Sequence, residues 1–108
     1  MRWLGLDVHK RYVVVLEICQ GAENRFSRFS LPGGLREFCS QLDRDCHIVM
    51  EASSNTFRLA EILAEHAGRV VVSDPAQTRG VMSQALSNDR VAAAALARLL
   101  QAEFIRTV

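Results

Sequence analysis

Trp3-Leu4-Gly5-Leu6-Asp7-Val8 sets one carboxylate, Asp7, inside an apolar run that otherwise reads as a buried strand. An ionised aspartate left unpaired in a core is strongly destabilising. Asp7 therefore has to meet a cation, a cluster of donors or the open end of a sheet. Two more acids share its setting: Glu51 closes the apolar run Ile48-Val49-Met50, and Asp89 opens the alanine-rich run from Ala92 to Leu100. The expectation is that Asp7, Glu51 and Asp89 converge on a divalent-metal site, with the rest of the chain as the scaffold that assembles it.

Outward from that stretch, the chain first reads as hairpins. Lys10-Arg11 is a tight connection into Tyr12 to Cys19, where Tyr12, Val14, Leu16 and Ile18 share one strand face and Val13, Val15, Glu17 and Cys19 the other. Gln20-Gly21-Ala22-Glu23 supplies a turn. Asn24 to Ser30 then reads as a more polar strand suited to a sheet edge.

Pro32-Gly33-Gly34 changes the regime. Leu35, Phe38, Cys39 and Leu42 recur at helical spacing, predicting a helix that ends near Asp45, and Cys46 to Glu51 is of strand length. A helix between two strands that both need burial is a crossover, which implies a parallel pair. Ala52-Ser53-Ser54-Asn55 offers a helix cap, Phe57, Leu59, Ile62 and Leu63 an apolar helix face, and Gly68 a helix stop. Val70-Val71-Val72 forms a fifth strand. Asp74-Pro75-Ala76-Gln77 has the pattern of an N-cap with a first-turn proline, and Asn88 caps a last helix through Leu100. The order is β-β-β-α-β-α-β-α-α: an α/β domain over residues 1–108 with a mixed five-stranded sheet in the order 3-2-1-4-5, the second strand antiparallel to the rest.

Composition narrows the function. With 13 Lys and Arg against 12 Asp and Glu, the net charge of +1 makes no basic surface by amount alone, so nucleic-acid binding has to come from arrangement. No apolar run reaches the roughly 18 residues that span a bilayer. Asp7, His9, Lys10 and Arg11 interrupt the N-terminal apolar stretch as no signal peptide would allow, so the expected location is the cytoplasm. Cys19, Cys39 and Cys46 have neither disulfide-framework nor zinc spacing and are expected as thiols; His9, His47 and His66 read as surface or cap residues.

In a sheet with parallel strands, functional groups gather beyond the carboxyl ends of those strands. Asp7 and Glu51 near the ends of adjacent strands would repel each other and call for a cation. Hard oxygen donors suit Mg²⁺ or Mn²⁺, and two such ions can align water and leaving oxygen across a phosphodiester. Two of the three acids have a structural reading beside this one, and Asp7 does not share it. Asp89 in a first helical turn gains about 0.3–1 kcal/mol from the helix dipole, and Glu51 can cap the loop after its strand.

Gly5-Leu6-Asp7-Val8-His9-Lys10, Met50-Glu51-Ala52-Ser53, Val71-Val72-Ser73-Asp74-Pro75-Ala76-Gln77 and the run from Asn88 to Leu100 together resemble the N-terminal domain of DEDD transposases of the Piv and insertion-sequence-110 type. The resemblance runs in order through nearly the whole chain. It implies a RuvC-like, ribonuclease-H-type fold whose four acids bind divalent metal during DNA cleavage and strand transfer. It also implies a dimer or larger assembly and, in some members, a structured guide-type RNA. Asp7, Glu51 and Asp89 match the first three acids. The fourth falls three residues after the third, where this chain has Ala92, and the family continues into a domain carrying a nucleophilic serine that is not within these 108 residues. A second reading is therefore a non-catalytic remnant that binds nucleic acid or a full-length transposase. An actin-like sugar kinase, which also opens on a strand aspartate, fails for want of a Gly-Thr phosphate loop after Asp7.

Overall fold

The computed structural model describes residues 2–19, 25–53 and 56–73. Its elements are β1 (Arg2–Val8), β2 (Tyr12–Cys19), β3 (Arg25–Ser30), α1 (Leu35–Ser40), β4 (Cys46–Glu51), α2 (Thr56–Ala64) and β5 (Arg69–Ser73). The five strands form one sheet in the order β3-β2-β1-β4-β5. β1 and β3 pair antiparallel to β2, and β4 pairs parallel to both β1 and β5. The expected α/β class and strand order are those observed. The two helices expected after Pro75 and after Asn88, and with them Asp89 and Ala92, lie outside the described residues.

Strand alternation splits the sheet into two faces. Leu4, Leu6, Val13, Val15, Ile48 and Met50 pack with Phe38 and Cys39 of α1 and Leu59 and Leu63 of α2 in the main core. On the opposite face Val14, Leu16, Val49 and Val71 are buried as well. Burial on both faces is what near-continuous apolar strands such as Val13-Val14-Val15-Leu16 require. β3 is almost wholly exposed, as an edge strand built from Arg25, Ser27 and Arg28 should be. Arg2 clamps the far end of the sheet: its Nε and Nη2 donate to the Glu17 carboxylate at 3.0 and 2.7 Å, and Nη1 to the Gln41 carbonyl at 3.3 Å. That pair accounts for an acid on the core-facing side of β2.

Three local expectations are corrected. α1 ends at Ser40 rather than near Asp45, because the Asp43 carboxylate accepts the Asp45 amide at 2.9 Å and turns the chain out of the helix. Leu42 still packs against the core from the turn. Phe57 does not share the buried face of α2. It is 49% exposed, whereas Thr56, Leu59 and Leu63 are buried, since Phe57 sits about 100° around the helix from Thr56. Gly68 is not a left-handed helix stop: α2 ends at Ala64, and a β-carbon at Gly68 would collide with the backbone of Arg44. Close approach, not a positive φ, requires glycine there.

The start of α2 is secured by side-chain bonds. Thr56 Oγ1 donates to the Ser53 carbonyl at 3.0 Å and accepts the Ser53 amide at 2.8 Å. Among the described residues, no helix is long and apolar enough to cross a membrane.

Candidate metal centre

β1 and β4 run side by side in register, Leu4 beside Ile48 and Leu6 beside Met50. One residue further along each strand stand Asp7 and Glu51, both turned by the pleat to the face opposite α1 and α2. On β5 the neighbour of Glu51 is Ser73, and on the other side of Asp7 come Val14 of β2 and Arg28 of β3. The row across the carboxyl ends of the parallel strands is thus Arg28, Val14, Asp7, Glu51, Ser73. It lies where ligands of sheets with parallel strands bind.

Asp7 is held from the hairpin beside it. Its Oδ2 accepts a hydrogen bond from His9 Nε2 at 2.9 Å, with the aspartate side chain 24% exposed. The His9 ring stacks on Tyr12 at 4.4 Å between centroids, and the Arg28 guanidinium lies 3.8 Å above the Tyr12 ring. The hairpin is closed between them by the His9 amide donating to the Tyr12 carbonyl at 2.9 Å. A contact chain Arg28–Tyr12–His9–Asp7 thus braces the aspartate from the hairpin side.

Carboxylates on strands about 4.8 Å apart repel by roughly 1–3 kcal/mol, depending on how much water screens them. A divalent cation between them turns that repulsion into attraction. The donors are all oxygen, the set that hard Mg²⁺ or Mn²⁺ prefers. The last member of the row, Ser73, is fully buried, and its Oγ has no hydrogen-bond partner among the described residues. Both features fit a cation site at this edge. Among the described residues, no group of three or more His, Cys, Asp or Glu gathers as a metal cage; Asp89, the third expected ligand, falls outside them.

The structure thus sets Asp7 and Glu51 on one face at the ends of adjacent strands, each one residue beyond the last registered pair, Leu6 and Met50. It adds two residues that the sequence reading did not select. His9, read as a surface or cap residue, bonds Asp7; the signal was the i, i+2 spacing of Asp7 and His9, which share a face if the extended chain continues past Val8. Ser73 carried no such signal, because its place beside Glu51 depends on how β5 registers against β4. No protein-family model and no curated protein matches the chain.

Proposed function

We propose that this chain is the N-terminal, ribonuclease-H-like (RuvC-like) catalytic-type domain of a DNA transposase of the DEDD class, binding Mg²⁺ or Mn²⁺ through Asp7, Glu51 and Asp89. The observation that supports the reading is that Asp7 and Glu51 each follow the last registered pair, Leu6 and Met50, at the carboxyl ends of two adjacent parallel strands. When bound, the cation polarises phosphodiester oxygens and lowers the pKa of coordinated water. The protein's own part is to hold two carboxylates in register on rigid strands and to orient Asp7 through His9. Exposed Lys10, Arg11 and Arg28 at the same end offer cations to a phosphate backbone.

In the full protein this domain takes part in DNA cleavage and strand transfer, within a homo-oligomer and with a guide-type RNA where the family uses one. Ala92 at the fourth acid position weakens the site in this chain. That same substitution favours the second reading, a non-catalytic module that docks on nucleic acid or on a transposase.

Titration with Mn²⁺ tests the proposal. A ligand at 100 times its Kd stabilises the folded state by about 2.7 kcal/mol. The parent should show such a stabilisation, and Asp7→Asn should lose it. An equal shift in Asp7→Asn would put the ions elsewhere and overturn the proposal; a parent that binds no Mn²⁺ would leave the non-catalytic reading in possession.

A further inference from the structure

Ser73 stands at the end of a strand whose preceding residues are Val70, Val71 and Val72. Its carbonyl is employed in the sheet, accepting the Ala52 amide at 2.9 Å. Its side chain is not. Oγ is buried at 0% residue exposure with no hydrogen-bond partner among the described residues. Thr56, the other fully buried hydroxyl among the described residues, both donates and accepts within 3.0 Å. Burying a hydroxyl without a partner is unfavourable, and a valine or alanine would avoid the penalty. Such a group in a well-packed strand points to a partner supplied in another state of the site.

The register identifies that partner. Glu51 and Ser73 are direct neighbours across the parallel β4–β5 ladder, on the face that carries Asp7. A glutamate side chain is long enough to cross one strand spacing, so rotation about its own bonds can bring a carboxylate oxygen to the serine hydroxyl. Carboxylates that ligate metals are commonly fixed by a hydrogen bond to an oxygen not engaged by the ion.

We propose that Ser73 is a positioning residue of the metal centre: its hydroxyl donates to Glu51 when that carboxylate turns to hold the cation. The proposal rests on the reading of Asp7 and Glu51 as ligands. It explains why an unpartnered hydroxyl sits next to the second acid.

Mn²⁺ binding measured by calorimetry, together with thermal unfolding without metal, tests it in the parent, Asp7→Asn, Glu51→Gln, Ser73→Ala and the Glu51→Gln/Ser73→Ala pair. Ser73→Ala should unfold at or above the parental temperature without metal, since it removes a buried group that bonds nothing. Its Mn²⁺ affinity should fall about 10- to 100-fold, the usual consequence of losing a bond that orients a ligand. In the Glu51→Gln background the same substitution should change affinity little, because the serine acts through the carboxylate. Equal affinities in the parent and Ser73→Ala, with Asp7→Asn still abolishing binding, would overturn the role of Ser73 and leave the metal site standing. A marked loss of stability in metal-free Ser73→Ala would overturn it too, by assigning the hydroxyl a structural bond. A parent without Mn²⁺ affinity would overturn both readings.

Discussion

Gly68→Ala and Gly33→Ala are the same chemical change, yet the structure predicts opposite signs for them. A β-carbon at Gly68 falls on the carbonyl oxygen of Arg44, with the carbonyl carbon at 2.9 Å and Cα at 3.4 Å. All of these are backbone atoms, so no side chain can swing aside. Relief requires parting the turn before β5 from the turn before β4. That movement strains the Gly68 amide bond to the Cys46 carbonyl, 3.0 Å, and the Arg44 Nη1 bond to the Ala67 carbonyl, 2.9 Å. Overpacking of this kind costs about 1–3 kcal/mol and a disrupted hydrogen bond about 1 kcal/mol. The lower entropy of the unfolded alanine chain returns about 0.4–1 kcal/mol. The net expectation is a destabilisation of about 1–3.5 kcal/mol, centred above about 2. At Gly33 nothing lies within 4 Å of the added carbon and φ is outside the left-handed region. Only the entropic gain remains, about 0.4–1 kcal/mol in favour of the variant. At about 4–8 °C per kcal/mol for a domain near this size, Gly68→Ala should melt roughly 10–20 °C lower and Gly33→Ala a few degrees higher. Urea unfolding should show the midpoints moving apart at constant m-value. Midpoints within about 0.5 kcal/mol of each other would refute the steric account of Gly68.

Two further outcomes follow from the site and the core. On the resemblance that pairs position 92 with Asp89, Ala92→Asp should tighten Mn²⁺ binding and lower stability without metal, since one more carboxylate would join like charges; equal Mn²⁺ affinity in calorimetry would detach position 92 from the proposed site. Burial raises the thiols of Cys39 and Cys46 above their ordinary value of 9.0, with desolvation the leading cause in each. The unfolded thiols then ionise first, so stability from this source is intact below about pH 9 and declines above it by at most about 1.4 kcal/mol per pH unit per thiol. Urea unfolding of Cys39→Ala/Cys46→Ala should show a shallower alkaline decline than the parent, and identical slopes would exclude the thiols as its cause.

The elements of this protein are written locally. Alternation from Tyr12 to Cys19, helical spacing around Phe38 and Cys39, and the valines of β5 are short-range patterns, each sufficient to choose strand or helix from residues within one turn or one pleat. The change from hairpins to crossovers at Pro32 then yields the strand order, because few topologies satisfy short, right-handed connections. Asp7 and Glu51 were legible as candidates since a charge in an apolar strand is costly wherever the strand ends up. Contacts between distant segments were not legible. The need for glycine at position 68 depends on the passing backbone of Arg44, and the exposure of Phe57 on which side of α2 meets the sheet. Asp7 stands beside Glu51, and Glu51 beside Ser73, through registers between strands more than twenty residues apart. A slip of one residue would send each of those side chains to the other face. Sequence period determines which face a residue shares with its own strand, but only the packed sheet decides what lies across from it.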